Sequence, residues 1–309
     1  GRNEGTDHEL QDSVRGSTLY LNSNDDGAEA TETEGVKSFD ADGYTLGNAN
    51  YWNWTAKTFV GWSWKAGTTS GVSGGTITPI GYSINTTAGF GIYEYTGNST
   101  SGATIAHGLG VAPKFLITKK ISATGNWHVA HQYNSAYPWN SYLYLDTGNG
   151  TQEENSATWF LNDTAPDATN ITLGDGAGIN TTSDYLIYAF APKQGFSKFG
   201  TYEGNGNADG TFVYTGFRPA CVIIKGIGGT VNWNMFDTKR PVYNPADPPL
   251  WPNSSTAQTD PYPIDILSNG FKARTTSSQV NATTTDPYVY AAFAESPLVN
   301  SEGVPSNAR

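Results

Sequence analysis

Short segments in which apolar and polar residues alternate run through most of the chain. Residues 185–192, YLIYAFAP, are typical, and similar segments occur at 58–65, TFVGWSWK, and at 288–295, YVYAAFAE. Alternation with a period of two places every second side chain on one face of a β-strand. Turns rich in Gly, Asn and Asp separate these segments, and no long apolar pattern has the helical period. The pattern therefore predicts an all-β protein.

The three similar strands close a longer repeated unit. Its opening half is IYEYTGNSTSGATIAHGLGVAPKFLITKK at 92–120 and TYEGNGNADGTFVYTGFRPACVIIKG at 201–226. An aromatic strand follows in each copy, NWHVAHQ at 126–132 and NWNMFDT at 232–238. Two packed sheets can bury one face of every such strand between them. The unit therefore predicts tandem β-sandwich domains of the jelly-roll or concanavalin-like kind.

The N-terminal third of the chain matches only the second half of this unit. We predict a half-sandwich at 1–67, a Gly/Ser/Thr linker at 68–89, sandwich domains at 90–195 and 199–297, and a tail at 298–309. Half a sandwich leaves a sheet edge and an apolar face open to water. We expect chain upstream of residue 1 to supply the two opening strands, with a neighbouring subunit as the alternative.

An aromatic residue occupies the same position near the end of all three closing strands. These residues are Trp64, Phe190 and Phe293, and each shares a face with the residues two and four positions earlier. We expect this face to lie between the two sheets of its own sandwich, where the aromatic ring fills the space. The repetition then describes the scaffold and not a catalytic site.

Charge and cysteine content limit the partners of the chain. The 309 residues carry a formal net charge of −11 at pH 7, whereas nucleic-acid binding needs a basic face. No run of about 18 apolar residues is present, so we expect no membrane insertion. The single cysteine, Cys221, lies in the apolar segment ACVIIKG and is predicted to be buried. Nine N-x-S/T sequons occur, which we attribute to the abundance of Asn, Ser and Thr.

The first 67 residues resemble a known kind of domain. Residues 10–47 are LQDSVRGSTLYLNSNDDGAEATETEGVKSFDADGYTLG, and an aromatic strand and WSWKAG follow. These motifs resemble a domain that recurs in structural proteins of bacteriophages, notably marine ones. The later copies keep the strand order and the closing motif but lose DSVRG. The resemblance implies a component of the virion surface, such as a tail fibre or another host-facing appendage, and it implies no catalytic residues.

Candidate catalytic and metal-binding residues are few. His128 and His131 are three positions apart on a predicted strand, so they point to opposite faces and are poor co-ligands for zinc. The acidic residues lie mostly in turns, and we find no carboxylate pair for glycoside hydrolysis. We therefore predict no enzymatic activity and no cofactor. Asp40, Asp42 and Asp175 are weak calcium candidates, because Asp-Gly turns are also ordinary hairpin turns.

Loop-like segments that mix Trp, Tyr and Asn are the candidate sugar-binding sites. An exposed aromatic face can stack on a sugar ring while amides bind its hydroxyl groups. The candidates are Trp52 and Trp54 in 48–57, Tyr137, Trp139 and Tyr142 in 133–145, and Trp251 in 243–255. Loops at one end of a sandwich often carry binding sites. The alternative is that these rings pack against a neighbouring domain or subunit, and the sequence leaves both open.

The sequence thus predicts a non-enzymatic phage virion protein that attaches to a host cell-surface glycan and binds other virion proteins. We expect a homo-oligomer, with a trimer favoured because fibres are commonly trimeric. Two alternatives remain within the virion. The chain could be a head-decorating or neck assembly protein without a receptor, or a depolymerase of surface polysaccharide. A secreted cellular adhesin is a further alternative, which glycosylated sequons would favour.

Overall fold

The all-β, sandwich-type fold is confirmed. The computed structural model describes residues 1–67, 71–136, 138–153, 156–241, 243–258, 261–283 and 287–295. In chain order the strands are β1 Glu9–Asp12, β2 Gly16–Asn22, β3 Ala30–Thr31, β4 Val36–Phe39, β5 Tyr44–Leu46, β6 Gly81–Asn85, β7 Phe90–Thr96, β8 Ala103–Ala106, β9 Phe115–Lys120, β10 His128–His131, β11 Ser141–Tyr144, β12 Gln152–Glu153, β13 Asn170–Leu173, β14 Asp184–Phe190, β15 Ser197–Tyr202, β16 Phe212–Tyr214, β17 Cys221–Gly226, β18 Asn234–Asp237, β19 Ile264–Leu267, β20 Gly270–Ala273 and β21 Tyr288–Phe293. One short helix, α1, spans Asn50–Asn53. Among the described residues, no helix is long and apolar enough to cross a membrane.

The repeats hold β1–β5, β6–β14 and β15–β21, and we call them repeats 1, 2 and 3. In repeat 2 a seven-stranded sheet, in the order β12-β11-β10-β9-β14-β7-β6, packs on the pair β13-β8. In repeat 3 a four-stranded sheet, β15-β21-β17-β18, packs on the three strands β16-β20-β19. Each of these two repeats is therefore a sandwich with its own apolar core.

Matching hydrogen bonds fix the correspondence between repeats 2 and 3. The hydroxyl of Tyr95 donates to Ile179 O over 2.5 Å, and the hydroxyl of Tyr202 donates to Val280 O over 2.7 Å. A buried asparagine beside each acceptor, Asn180 or Asn281, bonds the turn that follows the tyrosine. Residues of β7 consequently correspond to residues of β15 that lie 107 positions later.

Repeat 1 has no second sheet of the kind seen in the other two. Its described strands form the sheet β1-β2-β3 and the hairpin β4-β5. The segment 58–65, predicted to be a closing strand, is not a strand in the structure, and this corrects the prediction. In repeat 2 the equivalent strand β14 pairs with β7 on one edge and β9 on the other. The described part of repeat 1 holds no counterpart of these two strands, so 58–65 has no ladder to join.

The segment 68–89 differs from the linker that its composition predicts. Within it, Gly81–Asn85 forms β6 and pairs with β7, in a register that runs from Gly81 opposite Glu94 to Asn85 opposite Phe90. Ile77 and Ile84 are buried in the core of repeat 2. These apolar side chains give the segment a packed position, so part of it belongs to the sandwich.

Corresponding residues at the start of each aromatic strand join the three repeats in a ring. Trp127 Nε1 donates to the last carbonyl of β2 over 2.8 Å, which joins repeat 2 to repeat 1. Trp233 Nε1 donates to the last carbonyl of β11 over 2.7 Å, which joins repeat 3 to repeat 2. His8 Nε2 lies 2.9 Å from Ser254 O, which joins repeat 1 to repeat 3. The three repeats therefore contact one another in a closed ring.

Two buried lysines support the same ring. Lys119 Nζ donates to Gly125 O in its own repeat over 2.6 Å and to Asp26 O in repeat 1 over 3.0 Å. Lys225 Nζ bonds a carbonyl of its own repeat and Gly148 O of repeat 2, the latter over 2.8 Å. A buried ammonium group is costly unless it is hydrogen-bonded, and these carbonyls satisfy it. The lysine one position before the end of β9 and of β17 is thus a junction residue.

The three aromatic residues of the closing segments meet at the centre of the ring. The ring of Trp64 lies 5.4 Å from Phe293 and 6.4 Å from Phe190, and the last two are 5.5 Å apart. They belong to one core that all three repeats share. The prediction that each ring fills its own sandwich is therefore wrong. Because β14 is buried on both faces, Tyr185 and Ile187 enter the sandwich core while Phe190 faces the shared core.

Candidate ligand-binding groove

The predicted aromatic candidates do not come together in one site. Trp52 is half-buried, and its ring packs edge-on against Tyr20 at 5.2 Å. Trp54 is 39% exposed, with Lys57 Nζ 5.4 Å from the ring centre. Trp52 lies in the short helix α1, and Trp54 directly follows it. Of the two, only Trp54 presents an open ring surface.

The other candidates are mostly part of the scaffold. Tyr142 is buried and stacks on Trp159 at 5.0 Å, and Trp251 is buried with its Nε1 donating to Asn234 Oδ1 over 3.0 Å. Neither ring can reach a ligand, which corrects their assignment. Trp139 is half-buried against the core of repeat 2. Tyr137 lies outside the described residues.

The calcium candidates serve local turns or lie apart. Asp40 accepts hydrogen bonds from Ser38 Oγ over 2.9 Å and from Thr45 Oγ1 over 2.8 Å within the β4–β5 hairpin. Asp42 lies in the same turn, and Asp175 is in repeat 2, 3.4 Å from Thr158 Oγ1. In the part of the chain that the structure describes, no three His, Cys, Asp or Glu residues are grouped as a metal site would need.

Two buried Asp–Arg ion pairs hold turns of the scaffold. Arg15 Nε donates to Asp12 Oδ2 over 2.6 Å, and Arg240 Nε donates to Asp237 Oδ2 over the same distance. The hydroxyl of Tyr188, in repeat 2, also donates to Asp12 Oδ2 over 2.8 Å. Each aspartate also caps backbone amides of its own turn. Repeat 3 therefore keeps the Asp–Arg pair of DSVRG in its segment DTKR, although the rest of the motif is lost.

The strongest candidate site is a groove on the side of repeat 3, at its junction with repeat 2. We call it the junction groove. It consists of two adjoining cavities of about 370 and 460 Å³ that share Tyr133 and Thr201. Three large aromatic side chains on its walls are exposed, Tyr133 at 46%, Phe212 at 44% and Tyr214 at 58%. Cavities of this size are typical of small-molecule sites, and exposed aromatic clusters are typical of binding surfaces.

The same side of repeat 2 is covered by its own chain. Ile77 N donates to Thr104 O over 3.0 Å, and Gly75 lies so close to Thr104 O and Ala106 N that a Cβ there would clash. Farther along, β6 pairs with the outer edge of β7. In the described part of repeat 3, no segment covers the equivalent edges of β15 and β16. The junction groove is this uncovered side.

Aromatic residues replace small residues on the uncovered side. In repeat 2, Gly102 N donates to Leu173 O at the end of β13, and in repeat 3, Gly210 N donates to Ala273 O at the end of β20. These two bonds are equivalent, so Phe212, two positions after Gly210, corresponds to Thr104, two positions after Gly102. Tyr214 then takes the position of Ala106. Small residues let a covering strand approach in repeat 2, whereas repeat 3 presents rings to solvent. Packing within the chain does not explain two exposed rings here.

The groove also offers polar groups. Phe196 O accepts a hydrogen bond from Ala294 N, at the start of the ladder between β15 and β21. In an antiparallel ladder every second residue bonds the partner strand, so the N–H and C=O groups of Phe199 and Thr201 point away from β21. Gln132 Nε2 donates a hydrogen bond to Phe199 O over 2.8 Å. Among the described residues, none bonds to the outward N–H and C=O of Thr201. One donor and one acceptor are thus available beside the aromatic rings.

Lys198 is the one charged residue among the described residues that line the groove. Its Nζ donates to Tyr214 O over 2.7 Å and lies 5.3 Å from the centre of the Tyr214 ring. Two further N–H groups of the ammonium remain for other partners. The floor is formed by Gly200, where a Cβ would clash with the hydroxyl of Tyr290.

The family model described as domain of unknown function DUF7483 matches residues 1–297. The chain belongs to this family. None of the curated proteins and none of the solved structures that were compared matches the chain. The match covers all three repeats, which agrees with one unit built round a shared core and not with a string of unrelated modules.

The sequence pattern indicates little of the groove. Tyr133 begins the candidate loop 133–145, but Phe212 and Tyr214 lie in a segment whose alternation predicts an ordinary strand. A signal was present, since the two rings alternate with the buried Val213 in the segment FVY. The rings therefore had to point away from the core of repeat 3.

Proposed function

We propose that this chain is a non-enzymatic component of a phage tail fibre or similar appendage, and that it attaches to a host cell-surface glycan through the junction groove. The phage assignment rests on the resemblance of residues 10–67 to phage structural proteins. The glycan assignment rests on one observation. In repeat 2 this side carries small residues and is covered by β6 and the segment before it. In repeat 3 the same side carries exposed aromatic rings, and no described segment covers it.

The groove suits a sugar chain in shape and chemistry. Tyr133 and Tyr214 present ring surfaces, and the backbone of Thr201 adds a donor and an acceptor for hydroxyl groups. The described lining contains no carboxylate, so the groove offers no acid and base pair for hydrolysis. Binding without cleavage is the function that this lining supports. Several copies on one virion would raise a weak affinity through avidity.

Binding to immobilised host polysaccharide tests the proposal. We expect Tyr214→Ala and Phe212→Ala to weaken binding about tenfold, the effect of ~1.4 kcal/mol of lost contact. Tyr243→Ala is the matched control, because Tyr243 also lies in repeat 3, is 84% exposed and does not line the groove. Equal affinity of all three variants, with unchanged melting, would contradict a glycan site in the groove. Release of reducing ends would instead favour the depolymerase alternative.

One observation favours a second function, assembly within the virion. Among the described residues, no strand pairs with the outer edges of β15 and β16, and an extended segment of another virion protein could add to them as a strand. Immunogold labelling of intact virions separates the two functions. Label on tail fibres is expected for host attachment. Label over the head or neck would make the groove an assembly contact.

A further inference from the structure

Charge at the junction groove differs from charge at the equivalent side of repeat 2. With the correspondence set by Tyr95 and Tyr202, Lys198 stands where repeat 2 has Gly91. Thr201 stands where repeat 2 has Glu94, at the same outward edge position. A cation is gained and an anion is lost, so the edge of repeat 3 is two charge units more positive than that of repeat 2.

This local change opposes the charge of the whole chain. The chain carries a net charge of −11, yet the described residues that line the groove include no Asp or Glu. Among these described lining residues, the ammonium of Lys198 is therefore the one charged group that a ligand in the groove would meet.

Lys198 is held in place for a ligand. Its ammonium is fixed by Tyr214 O at 2.7 Å and lies above the Tyr214 ring at 5.3 Å. No described carboxylate forms an ion pair with it, whereas Lys239 pairs with Glu295 at 2.6 Å and Lys272 with Asp209 at 2.6 Å. The groove thus places an unpaired cation beside an exposed ring. A sugar that carries a carboxylate next to its ring face matches this pair of groups.

We infer that the junction groove selects acidic glycans, meaning chains that contain uronic acids or other carboxylated sugars. The inference rests on the proposed glycan-binding function of the same groove. The ring of Tyr214 stacks on the sugar, Lys198 Nζ donates to its carboxylate, and the backbone of Thr201 bonds a hydroxyl group. Neutral chains of the same linkage lose the charge-assisted bond.

The test compares the full chain on acidic polysaccharides with the same polymers after carboxyl reduction. Polygalacturonate, alginate and hyaluronan are the probes, each with its reduced, neutral form. We expect at least one acidic probe to bind about tenfold more tightly than its reduced form, and 0.5 M NaCl to diminish the difference. Lys198→Met should abolish the preference while keeping the aliphatic stem. Thr201→Glu, which restores the carboxylate of repeat 2, should also abolish it.

Lys239→Met is the matched control, because it removes the same charge just after β18, which is at the opposite edge of the sheet from β15. It should keep the preference. Equal binding of acidic and reduced probes would overturn the inference and leave glycan binding intact. Absence of binding to every acidic and neutral probe would overturn both. An equal effect of Lys198→Met and Lys239→Met would show that net charge alone determines the preference, which also overturns the inference.

Discussion

Replacement of Phe190 by alanine tests the shared central core directly. Phe190 is buried, and its ring lies 4.8 Å from Phe90, 5.6 Å from Phe115 and 5.5 Å from Phe293. Removal of a buried phenylalanine ring costs about 3–5 kcal/mol of the free energy of unfolding. Loss of several aromatic contacts places Phe190→Ala near the upper end of this range, at about 4–5 kcal/mol.

The assay is differential scanning calorimetry together with urea unfolding. An unfolding entropy of about 2.1 cal/mol/K per residue gives roughly 0.6 kcal/mol/K for a chain of this length, so the melting temperature should fall by about 7 °C. Tyr243→Ala, at an 84% exposed position, should change it by less than about 1 °C. Since Phe190 contacts residues of repeats 1 and 3, the whole chain should melt in one transition that shifts as a unit.

Two outcomes would refute this reasoning. Separate transitions, of which only one moves in Phe190→Ala, would show that the repeats are independent domains with separate cores. A loss below about 2 kcal/mol would show that the ring is not packed as the structure has it.

Two further predictions concern acid stability and assembly. Burial lowers the pKa of His131 to about 4, and its ring nitrogens bond Tyr290 O and the amide of Tyr133, so the folded state holds it neutral. The unfolded state binds a proton at this residue below about pH 6.5, so His131 alone should lower the free energy of unfolding by about 3 kcal/mol as the pH drops from 6.5 to 4. Burial lowers the pKa of His128 to about 4 as well, so His131→Gln should reduce the pH dependence of urea unfolding between pH 7 and pH 5 by about half, and an unchanged slope would contradict the assignment. Sedimentation equilibrium should give a mass near three times 33.1 kDa for the predicted trimer, and a monomer mass would refute it.

The sequence predicts the all-β class and the strands of the two later repeats, because these follow from local alternation and turn residues, whereas it places a strand at 58–65 and a linker at 81–85 wrongly. The relation between repeats could not be predicted in the same way. β14 is buried on both faces, so the alternation shows that Phe190 and Ile187 face opposite sides but not which side meets which partner. The pairing of Trp127 with the end of β2 joins residues more than a hundred positions apart. Such contacts leave no local signature in one sequence.

The candidate site was predicted less well, since aromatic composition does not distinguish exposed rings from buried ones. Trp251 lies in a segment rich in Pro and Asn that is typical of an exposed loop, yet Asn234 binds its indole N–H and buries it. Phe212 and Tyr214 lie on an ordinary strand, and they are exposed only because nothing described covers that side of repeat 3. Exposure here depends on a missing neighbour and not on the residues themselves.

Comparison of the repeats within the chain separates scaffold from function. Positions that match, such as Tyr95 with Tyr202 and Trp127 with Trp233, make the same bonds in each repeat and are explained by packing. The informative positions are those where the scaffold is the same and the residues differ without a packing reason. Such positions concentrate on one side of repeat 3, where a glycine has become Lys198 and small residues have become aromatic rings. If repeat 3 served only as a scaffold, these changes would leave large rings and an unpaired cation in water with nothing to bind, and that is the argument for a ligand in the junction groove.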